Sequence, residues 1–463
     1  MRVLKFGGTS VGTVESLRNV KAIVESRSDQ CIVTVSALGG ITDRLIDTAR
    51  RAAAGDLTYH DCFNAIAERH HAVIDGTVTD PAALAATHDE VGNLLNELST
   101  LYNAIALLGE LTGRSLDLIV SYGERMSCLI VTAMLKDAVL CQSLDFIRTR
   151  LSFDKHVLDS EATSVLIAEK VLPMLADGAE TVIVPGFIAR DADGRITNLG
   201  RGGSDYTAAI LAAETGAEVL EIWTDVDGFM TADPRVVKDA RVIDRLSFVE
   251  AMELCNFGAK VVYPPTIYPV FNRSIPILIK NTFRPEAPGT IIAEGTIPEH
   301  HGACGISSMT PTAMIRISGS CFSDFDRIFN ALSRQGVDIF MASPANATFG
   351  LRGADTDRAM NILSDELAPE LTAGIITGIE AITDLSTIAV VGRGLNTIAG
   401  IDQTMLNSLN AIGIPVPATP RSNSSTTVAC MVPAGDLPEA MKAVHDTFIT
   451  SEKAANCTTC TSI

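Results

Sequence analysis

The 463-residue chain carries 36 Lys and Arg against 55 Asp and Glu, a formal charge of −19, with 47% hydrophobic residues. That apolar share excludes disorder as the default, at a length that accommodates two or three domains with full cores. The acidic balance repels polyanions, so neither nucleic acid nor an acidic membrane is expected as partner, although small anions can bind locally. Only Val3 and Leu4 stand between Arg2 and Lys5, too few for a leader, and no apolar run approaches the ~18 residues of a membrane span. A cytoplasmic protein is expected.

From the start, strand-like and helical stretches alternate. VLKFGG, CIVTVSAL, DLIVSYGE, TVIVPGFIA, EVLEIWTD and IPILIKN read as strands, which predicts an α/β domain over 1–290 with a largely parallel sheet. Between 43 and 115 the spacing is helical only; Leu94, Leu95, Leu98, Leu101, Tyr102, Ile105 and Leu108 predict an excursion packed on the sheet domain. Pro- and Gly-rich text from about residue 284 marks a boundary. Beyond it the chain repeats: Asn330-Ala331-Leu332 before Gly336 recurs as Asn407-Ser408-Leu409 before Gly413. Two small α+β modules follow, 303–380 and 381–463, each ordered strand, helix, glycine turn, two strands and helix.

Some motifs carry no site. Gly392-x-Gly394 lacks the third glycine of a dinucleotide fingerprint, since Thr397 stands there. The Cys457/Cys460 pair has no second pair and no nearby His to complete a zinc site. His70-His71 and His300-His301 lack ligand spacing and are expected to face solvent.

The chemistry gathers at polar strand ends. In LKFGGTS, Lys5 ends an apolar strand just before Gly7 and Gly8, a fixed cation beside a turn whose backbone amides suit a phosphate. Glu124 and Arg125 in VSYGER stand just past a run read as a buried strand. In TNLGRGGSDYTAA, Gly200, Gly202 and Gly203 permit close backbone approach, Ser204 or Asp205 can cap the helix that follows, and Arg201 offers a fork for a carboxylate or phosphate. EIWTDVDGFMTADPR ends a strand at Thr224-Asp225 and reaches Arg235, while NFGAKVV places Lys260 after a small-residue turn. Lys5, Lys260 and Arg235 supply cations for a polyphosphate, and Arg201 with Glu124 can hold a zwitterion. That inventory fits phosphoryl transfer, which needs mainly positioning and charge stabilisation.

KFGGTS, VSALGGITD, SYGER, LGRGGSD, WTDVDG, TADPR and FGAKVVYPPT, in this order, resemble the aspartokinase branch of the amino acid kinase family, and the doubled tail is similar to tandem ACT domains. The kinase part is most similar to that of bifunctional aspartokinase/homoserine dehydrogenases, without the dehydrogenase. The resemblance implies a three-layer α/β sandwich and ATP-dependent phosphorylation of the side-chain carboxylate of L-aspartate, with Mg2+ on the nucleotide and no side-chain metal site assigned. It implies that Lys5 stabilises the transferring group and that Asp205 organises the metal–phosphate end. Arg201 would take the substrate's α-carboxylate and Glu124 its ammonium, with Ser36, Thr42, Gly202, Gly203 and Ser204 lining the pocket. Gly7, Gly8, Thr224, Asp225, Met230, Arg235, Lys260 and Val261 match nucleotide contacts.

The chain departs from the pattern at Met230 and Tyr263, where relatives often carry Tyr and His. Phe340 and Ala345 stand where lysine-sensitive relatives tend to have an acid and a hydroxyl. The resemblance also implies a homodimer and an amino acid effector, threonine or lysine, at the ACT-like modules. Two alternatives stay open: an amino acid-binding regulator without catalysis, and a related kinase acting on glutamate or a carbamate.

Overall fold

The computed structural model describes residues 1–152, 155–294, 302–319, 324–343, 347–417 and 425–450. The chain divides into two compact units, Met1–Gly228 with Val261–Glu294, and Phe229–Lys260 with Gly295–Ile463. No described helix is long and apolar enough to cross a membrane.

The first unit opens with β1 (Arg2–Phe6), α1 (Val14–Glu25) and β2 (Cys31–Val35), followed by four helices: α2 (Ile41–Ala53), α3 (Tyr59–Thr77), α4 (Pro81–Leu108) and α5 (Gly113–Met134). Then come β3 (Ala138–Leu140), the β4/β5 hairpin (Arg148–Ser152, Lys155–Leu158), α6 (Ser160–Ala176), β6 (Thr181–Pro185), the β7/β8 hairpin (Ile188–Asp191, Ile196–Asn198), α7 (Gly203–Thr215) and β9 (Leu220–Thr224). After β10 (Arg245–Leu246) and α8 (Phe248–Asn256), which belong to the second unit, α9 (Tyr268–Phe271), β11 (Ile277–Asn281) and β12 (Thr290–Ile292) complete it. Within this unit the main sheet runs β12-β11-β9-β1-β2-β6-β3, parallel except for β12 against β11. Every residue of the CIVTV strand is buried, as expected for a parallel strand covered on both faces.

The helical excursion is longer than its sequence signal, running from Ile41 to Met134. DLIVSYGE is not a strand; it lies within α5, a 22-residue helix that begins where the Thr112 side chain accepts the Ser115 amide. Ile119, Val120, Tyr122, Met126, Ile130 and Val131 are all buried, so the helix is apolar nearly all round. A short apolar run cannot separate a buried helix from a buried strand; cap and length decide. Leu94, Leu98 and Tyr102 of α4 join Leu45, Ile119, Val33 and Phe6 in one core, so the excursion packs on the sheet as expected. His70 is a second correction: it is fully buried on α3, its Nδ1 2.7 Å from the Ile66 carbonyl oxygen, and burial pushes its pKa down to about 4. His71 instead meets His88 at 2.8 Å. His300, His301, Cys457 and Cys460 lie outside the described residues.

The second unit is built on two long strands, β13 (Gly305–Gly319) and β16 (Ile376–Val391). Around them stand α10 (Phe325–Arg334), β14 (Ile339–Ser343), β15 (Thr348–Arg352), α11 (Thr356–Glu366), α12 (Ala368–Thr372), α13 (Ile401–Asn410), β17 (Thr427–Pro433) and α14 (Leu437–His445). The sheet order is β14-β15-β13-β16-β17. The two modules interlock: Ile306 at the start of β13 packs with Ile388, Met405 and Met441, while Ile315 and Ile317 farther along pack with Ile328, Phe349 and Leu363. The β13–β16 register shifts between Met309 and Thr312, where Pro311 has no amide to give the ladder. In the first module the expected element order holds. In the second, no strand is assigned between Gly413 and β17 among the described residues, so the expected strand pair is not seen there.

Phe229–Lys260 threads this unit. The Ile306 amide donates to the Thr231 carbonyl at 2.8 Å, and Ala232 and Val237 lie in the core with Ile306 and Met441. Gly258, at φ 120°, brings the segment so close to β13 that a Cβ there would lie 2.0 Å from the Ser308 carbonyl oxygen. Gly258→Ala is therefore expected to cost about 2 kcal/mol or more, from strain and overpacking together. Urea unfolding followed by circular dichroism measures this; an unchanged midpoint would contradict the close approach.

Candidate active site

Ligands of open α/β sheets bind beyond the carboxyl ends of the parallel strands, and the candidate residues of the first unit collect there. Lys5, the penultimate residue of β1, reaches Asp205 in the first turn of α7; Nζ lies 2.6 Å from Oδ1, with the side chains 12% and 13% exposed. The Lys5 ammonium also curls over Gly7, where a Cβ would lie 3.3 Å from Nζ. Gly8 faces the β2 loop: a Cβ on it would sit 3.2 Å from the Ala37 carbonyl oxygen, and one on Gly39 would sit 2.8 Å from the Gly8 carbonyl oxygen. The two loops thus meet backbone to backbone, which only glycines permit. Ser36 extends the strand pairing by donating its amide to the Phe6 carbonyl at 3.2 Å.

Helix α7 begins differently from the sequence reading. Its N-cap is Gly202 at φ 69° with no side-chain cap, and Ser204 and Asp205 lie inside the first turn. Helix α2 begins the same way, at Gly40 with φ 76°, which puts Thr42 in an equally uncapped first turn. By contrast α1, α4, α5 and α6 start on a Thr or Asp side chain that accepts a first-turn amide. An uncapped start leaves orphan amides and the positive helix end for an anion. Close packing fixes the α7 turn: a Cβ on Gly202 would meet Tyr263, one on Gly203 would meet Phe187, and one on Gly186 would lie 2.6 Å from the Ser204 Cβ. Arg201, on the turn before α7, is exposed and makes no ion pair with a described residue.

Glu124 projects from α5, not from a strand end. It is 4% exposed, accepts the Ala37 amide, and its Oε2 has no hydrogen-bond partner. Burial pushes its pKa up to about 8, against the smaller lowering effect of the Ala37 amide. A buried carboxylate oxygen with no donor fits an incoming ammonium. At the β9 end, the Thr224 hydroxyl donates to Asp225 at 3.1 Å, and Asp227 accepts from Asn281 and pairs with Arg284. Val261 belongs to this unit as well.

Met230, Arg235 and Lys260 belong to the second unit. There Met230 bridges to Val242, and Arg235 forks onto Asp233 with Nη2 2.7 Å from Oδ2. The Arg235 hydrogen bond, with Lys260 a smaller contributor, holds the Asp233 carboxyl below its usual range.

The structure brings Lys5, Gly7, Gly8, Ser36, Thr42, Gly202, Gly203, Ser204, Asp205 and Glu124 to the carboxyl side of one sheet. Sequence reasoning missed the Ala37 amide on Glu124, the Gly39 contact and the Gly186 seat for Ser204. The glycine pair between β2 and α2 was a signal for the second. Together these groups can fix a phosphate over glycine turns and face it with an ammonium, while the buried acid offers an oxygen to a small cationic group. Among the described residues no cluster of His, Cys, Asp and Glu could hold a metal ion by itself.

A model of the amino acid kinase family matches residues 1–281, and an ACT domain model matches 388–448. The bifunctional aspartokinase/homoserine dehydrogenase of Haemophilus influenzae is 32% identical over 473 residues, covering 98% of this chain and 57% of that protein. The chain thus spans about half the length of the bifunctional relatives it matches. Lysine-sensitive aspartokinase 3 of Escherichia coli is 31% identical over 456 residues, 96% of this chain and 98% of that protein. The crystal structure of E. coli aspartokinase III with aspartate and ADP, in its R-state, superposes with TM-score 0.83 at 28% identity, covering 96% of this chain and 99% of that one.

The raised pKa of Glu124 has a consequence for stability. An unfolded chain ionises this carboxyl in the usual carboxylate range, whereas the folded protein keeps it protonated up to about pH 8. Stability should therefore fall as pH rises from that range to about 8, by at most ~1.4 kcal/mol per pH unit, and level off above it. Glu124→Gln should remove that part of the slope; denaturant titrations at pH 5, 6.5 and 8 measure it, and identical slopes in both proteins would contradict the burial.

Proposed function

The chain belongs to the amino acid kinase family, and from that premise we propose that it is an aspartate kinase, transferring the γ-phosphoryl group of ATP to the side-chain carboxylate of L-aspartate to give 4-phospho-L-aspartate and ADP. The observation that carries the reading is the Lys5–Asp205 pair beside the glycine turn, together with a buried, half-unpartnered Glu124 whose helix packs on Ala37 of the β2 loop. The acceptor needs no general base, because its carboxylate is already ionised at neutral pH. A carboxylate oxygen forms the new bond to phosphorus as the bond to the bridging oxygen of ADP breaks, and no proton is transferred.

In this reading Lys5 meets the charge that builds on the transferring oxygens, and the first-turn amides of α7 and α2 add fixed dipoles. Glu124 takes the ammonium of aspartate and Arg201 its α-carboxylate, with Ser36, Thr42, Gly202, Gly203 and Ser204 shaping the pocket. Gly7, Gly8, Thr224, Asp225, Met230, Arg235, Lys260 and Val261 are the proposed nucleotide contacts. Magnesium would travel on the nucleotide's phosphates and neutralise part of their charge, with Asp205 the acid nearest Lys5 to orient it.

We also propose a cytoplasmic homodimer serving lysine, threonine and methionine biosynthesis, with threonine or lysine as allosteric effector at the second unit. Phe340 there stands edge-on to Phe257 at 6.3 Å, an apolar contact that weighs against a standard lysine site; Ala345 lies outside the described residues.

Hydroxylamine trapping tests the chemistry, since it converts an acyl phosphate to a hydroxamate. Hydroxamate is expected with L-aspartate and not with L-glutamate; the reverse would overturn the substrate. Arg201→Ala should raise KM for aspartate by on the order of 10²-fold, as losing a charged contact worth about 2–3 kcal/mol would, while KM for ATP moves little. Equal effects on both would remove Arg201 from the aspartate site.

A further inference from the structure

Ser10 and Thr282 are both fully buried, 272 positions apart, with their hydroxyl oxygens 2.7 Å from each other. The Ser10 hydroxyl donates to the Trp223 carbonyl at 3.2 Å. A hydroxyl has one proton, so Thr282 is the donor to Ser10 and the chain runs Thr282 to Ser10 to Trp223, each bond polarising the next. The same Trp223 carbonyl accepts the Gly7 amide at 3.2 Å. Both ends of the turn from Gly7 to Ser10 are therefore fastened to one carbonyl oxygen at the end of β9. The turn is closed from inside as well, because the Ser10 and Val11 amides donate to the Gly7 carbonyl at 3.0 and 3.2 Å. Thr282 is itself fixed, its amide donating to the Thr224 carbonyl at 2.9 Å.

Three strand ends, β1, β9 and β11, are thereby tied at the turn over which the Lys5 ammonium curls. Gly7 and Gly8 have no side chains to pack, so apart from the backbone contact with Gly39 and the buried Val11 that follows, these hydrogen bonds hold the turn. We infer that the Ser10–Thr282 hydroxyl pair positions the glycine turn, and through it Lys5, for the phosphoryl group. Neither residue touches substrate in this account; both are positioning residues. The inference rests on the kinase reading for the identity of the group, and on the hydrogen-bond chain alone for the fastening. A displacement of reacting groups by a fraction of an ångström lowers the rate far more than the affinity of a part of the substrate bound elsewhere.

Thr282→Val keeps the shape and removes the hydroxyl, Thr282→Ser keeps the hydroxyl, and Ser10→Ala removes its partner. In steady-state assays with magnesium ATP and L-aspartate, Thr282→Val and Ser10→Ala are each expected to lower kcat by about tenfold and to leave KM for aspartate within about twofold. Thr282→Ser should retain kcat within about twofold. The double variant Ser10→Ala/Thr282→Val should be no slower than the slower single variant, since each removes the same link. Calorimetric titration of the same proteins with magnesium ADP is the readout that does not need turnover: Kd should rise severalfold in Thr282→Val and not in Thr282→Ser.

If the wild-type protein shows no turnover with aspartate, the kinase reading falls, and the ADP titration still decides the positioning role. Wild-type kcat and Kd in Thr282→Val would overturn the inference. So would equal losses in Thr282→Val and Thr282→Ser, which would mean the hydroxyl does not matter, or losses that multiply in the double variant, which would mean the two hydroxyls act independently and not as one link.

Discussion

The ammonium of Lys5, held 2.6 Å from Asp205 at the carboxyl end of a parallel sheet, is the interaction on which the rest of the site depends. A pair so largely withdrawn from water is a poor source of stability, because desolvation offsets much of the attraction. It is nevertheless well suited to holding a cation where negative charge must shift during a reaction. Asp205 reaches Lys5 from the first turn of α7, which starts on a glycine cap against Gly186 and Tyr263, so no side chain consumes its first amides. The same arrangement recurs at Gly40 and α2, whereas α1, α4, α5 and α6 are capped by side chains. Local stability is given up where an anion is expected, in keeping with the way functional sites break rules that the remainder of a fold obeys.

Glu124 follows the same logic from the helical side. An acid buried on α5 with one oxygen unpartnered costs stability in its ionised form, which is why burial raises its pKa. The excursion from Ile41 to Met134 is thus part of the site as well as a cover for the sheet, since it supplies both Glu124 and the Thr42 turn. In the second unit, Phe229–Lys260 shares a core with α13 and α14, so the segment that carries Met230 and Arg235 is built on the same framework as the ACT-like modules.

Much of the candidate site could be proposed from the sequence because its parts are local. Lys5 with Gly7 and Gly8, and Arg201 with Gly202, Gly203, Ser204 and Asp205, are short motifs whose residue types alone point to anion binding. Glu124 was placed at a strand end and lies on a helix, because a fully buried helix and a buried strand share the same unbroken apolar text. Ser204 and Asp205 have the chemistry of caps, yet glycine's freedom at positive φ moved the cap two residues earlier. The Ser10–Thr282 link was invisible, since nothing local marks two hydroxyls 272 residues apart as neighbours. The interlocking of β13 and β16 was equally hidden, because repeat spacing predicts separate modules and does not show that one strand serves two cores. His70 was misread because a polar side chain can bond its own helix carbonyl and stay buried.

The measurement that tests the central claim most directly is aspartate-dependent ADP release from magnesium ATP by the wild-type chain and by Lys5→Ala. The account predicts release that requires L-aspartate and falls by on the order of 10²-fold or more in the variant, with little change in KM for aspartate. Release at the wild-type rate by Lys5→Ala, or release that is indifferent to aspartate, would contradict it.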